Sequence, residues 1–373
     1  MREAASVMAR HLAAIGVVAL LLSPESVTSA EPDAAAESAA APARAAIDPA
    51  AGAFTIVIVP DTQHEVDTHP DTSATLEFPW QLPRLERNAE WICQQREAQR
   101  IAAVLHVGDF VQGQPRGVHT QWDPIARFLD QIEGCGVPWL GAFGNHDCDA
   151  GPNGCALPAG GDRAGNFSQF VAARAAKQPE WQGAGPEIHP AHGRCGLGGA
   201  MRAPSRNGWI RFAGRFAALS LDWYPDCKSQ DDWARSVIEE HGQDTHFLLL
   251  GHAIATPGDS PNCAGATEPG QALRAGKLAR SPGAFAIVGG HYTQDPNFAC
   301  YGSSEIAGRR VLNVFSDFQT NGMQNIAGTL VLMRIDTSAG LGQSNVCIRQ
   351  FNPSLAKYDV TEPERCFDVP SLR

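Results

Sequence analysis

Phe54 to Val59 is an almost unbroken apolar run that stops at Pro60, and similar runs follow at Ile101 to Val107, Val137 to Phe143, Phe247 to Leu250 and Ala284 to Val288. Apolar runs without polar alternation predict strands buried on both faces. A different period fills the gaps between the first three. Across 80–100, Leu82, Leu85, Ala89 and Ile92 recur at helical spacing with charges between them, and Trp122 to Glu133 carries a second helical pattern. Strand and helix therefore alternate, predicting a βαβαβ unit on a mostly parallel sheet. Later, Trp209 to Phe212 and Phe216 to Asp222 flank Ala213-Gly214-Arg215 as a hairpin, Asp231 to His241 reads as a helix, and Val311 to Phe315, Thr329 to Ile335 and Val346 to Gln350 read as strands. With few helices among them, these strands need a second sheet packed on the first to bury them. Residues 148–207 are rich in Gly, Pro and Cys, with one short helix near Phe167 to Lys177. They read as an insertion able to roof a site.

The N-terminal stretch has another character. Arg2 and Arg10 precede the apolar run Leu12 to Leu22, and Thr28-Ser29-Ala30 is a small-residue cleavage pattern, so residues 1–30 read as a signal peptide. Residues 31–52 are Ala, Pro and acidic, the composition of a disordered linker. One domain over 53–373 is expected, secreted or periplasmic, with no integral membrane segment after cleavage. Ten cysteines fit that oxidising compartment as disulfides; local pairings Cys148 with Cys155 and Cys347 with Cys366 are expected. A formal net charge of -11 argues against broad nucleic-acid binding, because phosphate-backbone affinity needs basic surface. If a substrate carries phosphate, bound cations must supply the positive field.

The strand ends carry the chemistry. Pro60-Asp61-Thr62-Gln63, Gly108-Asp109, Gly144-Asn145-His146-Asp147, Gly251-His252 and Gly290-His291 each follow an apolar run. Ligands gather at the carboxyl ends of parallel strands, so these carboxylates, amides and imidazoles are expected to meet at one edge as a metal site. Asn145 and His146 are adjacent and must point different ways, so one can ligate while the other does acid chemistry. Each residue has a plain alternative: Asp61 and Gln63 an Asx-turn with a solvated amide, a lone histidine a hydrogen-bonded structural group. His106 lies inside a strand and reads as a core or supporting residue. Trp80, Trp122 and Trp223 could line a cleft, although packing is the commoner use of tryptophan. Gly270 to Lys277 lacks the spacing and the Ser or Thr of a phosphate-binding loop, and no G-x-S-x-G occurs.

These signatures, in this order, resemble the calcineurin-like metallophosphoesterases, in particular a bacterial branch whose first motif reads P-D-T-Q. Ser316-Asp317-Phe318-Gln319 is similar to that branch as well. The resemblance implies an α/β fold, a two-sheet α/β/β/α sandwich, with two divalent metal ions drawn from Mn, Fe, Zn or Ca. It makes Asp109 the bridging carboxylate, puts Asp61 and Gln63 on the first metal and Asn145, His252 and His291 on the second, and makes His146 the general acid. The implied reaction is hydrolysis of a small-molecule phosphate mono- or diester by attack of a metal-bridging hydroxide. Thr293 stands where the family pattern has the last imidazole of the first site, which leaves that site oxygen-rich and weaker. The alternative is a degenerate member that holds one metal and serves as a binding or cell-envelope structural module.

Overall fold

A computed structural model describes residues 47–66, 82–115, 117–149, 165–185, 207–221, 223, 228–255, 275–291, 299–318, 326–339 and 342–372. All of them belong to one compact unit spanning Arg44–Arg373. The expected signal peptide and most of the linker fall outside the described residues.

From the N-terminus, β1 (Phe54–Val59) leads through the short α1 (Gln63–Val66) and α2 (Leu82–Gln95) to β2 (Ile101–His106), α3 (Trp122–Gly134) and β3 (Trp139–Gly141). Strands β1, β2 and β3 pair in parallel, which is the predicted βαβαβ unit. Next come α4 (Gly165–Phe167), a π-helical turn (Ser168–Ala172), α5 (Ala173–Ala175) and β4 (Trp181–Ala184). The predicted hairpin forms from β5 (Gly208–Phe212) and β6 (Phe216–Leu221), then α6 (Lys228–His241), β7 (His246–Gly251) and β8 (Ala284–Gly289) follow. The chain closes with β9 (Ala299–Ile306), β10 (Arg309–Ser316), β11 (Leu330–Ile335), β12 (Val346–Asn352), β13 (Lys357–Tyr358) and β14 (Arg365–Phe367).

Two mixed sheets result. The first has the order β13-β12-β11-β1-β2-β3, with β14 also on β12, and the second β4-β5-β6-β7-β8-β10-β9. Their facing sides form one apolar layer that includes Ile56, Ile58 and Leu105 from the first sheet and Leu248, Phe285 and Val314 from the second. Alternate residues point outward: Val57 and Val104 meet Leu85, Ile92, Ile125 and Leu129 of α2 and α3, while Leu219 and Leu249 meet Ala234 and Ile238 of α6. Each central strand is thus covered on both faces, the physical reason for its continuous apolar run. The architecture is the expected α/β/β/α sandwich.

The structure corrects several details. Strands β11 and β12 do not join the second sheet; β11 lies antiparallel on β1, with Phe54 opposite Ile335, and β12 extends that sheet. The helix expected over 80–100 ends at Gln95, and the strand expected from Val137 to Phe143 is reduced to Trp139–Gly141, starting just after Pro138, which has no N–H to give a ladder. Neither β4 nor β9 was expected. The described part of the insertion does more than cover: Phe167 and Val171 pack into the cluster around α3, and β4 is an edge of the second sheet. Cys347 and Cys366 are bonded as expected, facing each other across β12 and β14. Cys93–Cys135 ties α2 to the end of α3. Cys148 is disulfide-bonded, but Cys155 lies outside the described residues. No described helix is long and apolar enough to cross a membrane.

Candidate metal centre

Parallel pairing sends the ends of β1, β2 and β3 to one edge of the first sheet, and β7 and β8 do the same in the second. Asp61, Asp109 and Asn145 leave the first set; His252 and His291 leave the second. They meet around His252, whose side chain is fully buried. Its Nδ1 lies 3.2 Å from the Val107 carbonyl and 3.1 Å from Asp61 Oδ1. A carbonyl only accepts, so Nδ1 carries a proton and Nε2 is the nitrogen left to act as a ligand. Around Nε2 stand Asp109 Oδ2 at 3.0 Å, Asn145 Oδ1 at 2.9 Å and His291 Nδ1 at 3.1 Å.

Those spacings fit a cation. Donors about 2.1 Å from one ion lie about 3.0 Å apart at right angles and about 3.4 Å apart at tetrahedral angles. Asp109, His252 and His291 are also a group whose donor atoms all fall within 4.8 Å of one another. Carboxylate, amide oxygen and two imidazoles together suit Zn, Mn or Fe. The second such group, Cys347, Glu364 and Cys366, has its two sulfurs joined in the disulfide and offers no thiolate.

Charge reinforces the geometry. Burial pushes the His252 imidazole down, but Asp109 and Asp61 outweigh it and hold it well above its ordinary value. Burial likewise works against an ionised Asp109, yet His252 and His146 pull its carboxyl well below the usual range. Burial raises the Asp61 carboxyl above its ordinary value against the pull of His252, so the ring's charge is met chiefly by Asp109 at Nε2, where a divalent cation would take the proton's place. His291 is brought down to about 3 by burial and by the His252 charge, and His106 to about 3 for the same two reasons. Both are neutral imidazoles at ordinary pH.

The supports explain the sequence signature. A Cβ at Gly144 would fall on the Asp109 carboxylate and backbone N, one at Gly290 on Asp61 Oδ2, and one at Gly108 2.9 Å from His252 Nδ1. Gly108, Gly144 and Gly290, each directly before one candidate ligand, therefore clear space for another, whereas Gly251 before His252 makes room for Ile254. Asp109 and His291 themselves adopt φ 51° and 83°, left-handed backbone that costs about 1–3 kcal/mol in a non-glycine residue. Asp147 holds two of the loops together: its Oδ1 accepts from Phe110 N at 2.7 Å and Val111 N at 3.3 Å, and its Oδ2 from Gly144 N at 2.9 Å. Thr62 Oγ1 donates to the Phe110 carbonyl at 3.0 Å and contacts His106 Nε2 at 3.0 Å, while the His106 ring stacks on Phe110. His106 is thus a supporting residue, as its place inside a strand suggested.

The remaining candidates divide. Asp61 is buried, with Oδ1 beside His252 Nδ1 and Oδ2 accepting from His291 N at 3.2 Å. Gln63 opens α1 and is buried. His146 donates its backbone N–H to Asp109 Oδ1 at 2.8 Å, and its Nδ1 lies 3.4 Å from the Gln112 carbonyl, not on Asp147. Thr293 lies outside the described residues. Trp122 is a core residue, stacked on Phe170, but Trp223 stands at the site, its ring 4.6 Å from His291 and 5.5 Å from His252. Sequence reasoning did not single out Asp147 as a brace.

A fold of two facing sheets with helices outside, and a carboxylate, amide and imidazole cluster at the strand ends, defines a metal-binding hydrolase architecture. The calcineurin-like phosphoesterase family matches residues 54–295, and the chain belongs to that family, which implies divalent metal ions and a metal-dependent phosphoesterase. A search of curated proteins returned no sequence match. Among solved structures, the anchor in the inner membrane complex of Plasmodium is 10% identical over 85% of this chain and 89% of its own, at a TM-score of 0.46. A dimetal phosphatase from Danio rerio is 12% identical over 85% of this chain and 99% of its own, at 0.45. Both likenesses are too distant to assign chemistry.

Proposed function

We propose that the protein is a secreted or periplasmic phosphoesterase that hydrolyses a phosphate mono- or diester at a two-metal centre. The observation that carries this reading is the convergence of Asp109, Asn145 and His291 on His252 Nε2 within 3.1 Å, in a chain of this family. Asp109, Asn145, His252 and His291 would hold one cation; Asp61 and Gln63, with Asp109 shared, would hold the other. When bound, the cations supply a positive field for the phosphoryl oxygens and activate water at neutral pH. The protein's own part is to fix the donors. The Val107 carbonyl, accepting from Nδ1, fixes the tautomer that leaves His252 Nε2 for the cation, with buried Asp61 beside the same nitrogen. Half-buried His146 is tied to Asp109 through its backbone, which leaves Nε2 of its ring to deliver a proton to a leaving oxygen.

The test is metal stoichiometry together with turnover. Mature protein titrated with manganese should bind two ions and cleave chromogenic mono- or diesters, and Asp109→Ala should abolish binding at both sites. One ion and no turnover would favour the single-cation binding module instead. For His146→Ala, loss of kcat should grow as the leaving group becomes more basic; an equal loss for good and poor leaving groups would remove its acid role.

A further inference from the structure

Trp223 has no part in holding a cation, yet its indole stands beside the candidate ligands, its ring centroid 4.6 Å from that of His291 and 5.5 Å from that of His252. It follows the end of β6, the strand parallel to β7, so its backbone leaves the second sheet at the same edge as His252. The ring also packs against the apolar cluster of the first sheet's outer side. It thus reaches from one half of the sandwich to the other across the edge where the ligands meet. The side chain remains only partly buried. A tryptophan pinned on one side and still accessible on the other offers a rigid flat apolar surface at low entropic cost.

We infer that Trp223 is a specificity-determining residue that stacks on a flat aromatic group of the substrate, so that the enzyme prefers phosphoesters of aryl or heteroaromatic alcohols, nucleosides among them, over small alkyl esters. The cations that the cluster at His252 would hold bind the phosphoryl end and are indifferent to what the phosphate carries. The indole, beside His291, meets the substituent. This inference rests on the phosphoester reading above, and deepens it.

Two inert probes separate the two claims. Phenylphosphonate and methylphosphonate present the same anionic head, and their P–C bonds resist hydrolysis. Calorimetric titration of the manganese-loaded protein should show phenylphosphonate binding at least about 5-fold tighter, the lower end of what one aromatic stack contributes. In Trp223→Ala that preference should disappear while methylphosphonate affinity and the manganese isotherm stay unchanged, and Trp223→Phe should restore most of it. A phenyl preference that survives in Trp223→Ala overturns the inference. So does a Trp223→Ala protein that loses manganese, since the indole would then only steady the imidazoles. If the manganese-loaded wild type binds neither phosphonate, the phosphoester reading itself fails.

Discussion

Replacing Asp147 by Ala should damage stability and metal binding together, although Asp147 is not a candidate ligand. The carboxylate is fully buried and accepts three backbone N–H groups, from Phe110 at 2.7 Å, Gly144 at 2.9 Å and Val111 at 3.3 Å. Two of these donors directly follow Asp109 and the third directly precedes Asn145, so one side chain fastens two ligand loops. Alanine leaves all three N–H groups buried without a partner, at about 1–3 kcal/mol each. Counting the longest bond lightly, the loss should be about 3–6 kcal/mol, a large part of the 5–15 kcal/mol that a domain typically has. Asp147→Asn keeps the shape and one acceptor oxygen, but its NH2 must face an N–H. That variant should lose about 1–3 kcal/mol and remain measurable if the alanine protein does not fold. Urea unfolding followed by fluorescence gives the stability, and manganese calorimetry the affinity, which should fall at least 10-fold in the asparagine protein. An asparagine variant within about 0.5 kcal/mol of wild type, with unchanged manganese affinity, would refute the bracing argument.

Three further outcomes follow from the same structure. Gly144→Ala puts a Cβ onto the Asp109 carboxylate, so manganese binding should fall at least 10-fold with the far-UV circular dichroism retained; normal affinity would mean the loops yield freely. Glu65 is pushed up to about 8 by burial, against the opposing pull of Arg84 and a Gly328 N–H. Because its folded value lies above the unfolded one of 4.5, the group favours folding fully below about pH 4.5, and that contribution is lost as pH rises through about 8. Glu65→Gln should therefore flatten the decline in urea midpoint between pH 5 and 8, by an amount on the order of a few kcal/mol; parallel profiles for both proteins would contradict it. Replacing Cys93 and Cys135 by serine opens a closure of 42 residues and should cost about 3–4 kcal/mol in urea unfolding, a loss below about 1 kcal/mol counting against it.

What the sequence discloses follows from how local each cause is. The βαβαβ unit is legible because burial on both faces erases polar alternation, and Val57 turning to the helices while Ile56 and Ile58 turn to the second sheet is that cause in three dimensions. Allocation of β11 to the first sheet is illegible, since Leu330–Ile335 would look the same beside any partner, and only its register with Phe54 decides the matter. Strand β9 hides for another reason: Gly302, Ser303, Ser304 and Glu305 break the apolar pattern, and the strand is fixed by its full antiparallel ladder on β10. At the site, glycine before Asp109, Asn145, His252 and His291 is visible as a pattern, but the reason for it is not. Gly144 matters because Asp109 fills the space its side chain would take, and Gly290 because Asp61 does, so these two answer to a ligand from a different strand. The same holds for Asp147. It stands in the open in Gly-Asn-His-Asp, yet its part is set by backbone N–H groups at Phe110 and Val111, across the edge between β2 and β3. Residue types thus announce which chemistry is possible, whereas the meeting point is a matter of placement: Asp109, Asn145 and His291 arrive from separate strand ends at His252 Nε2, and Asp61 stands beside Nδ1 with its Oδ2 accepting from His291 N.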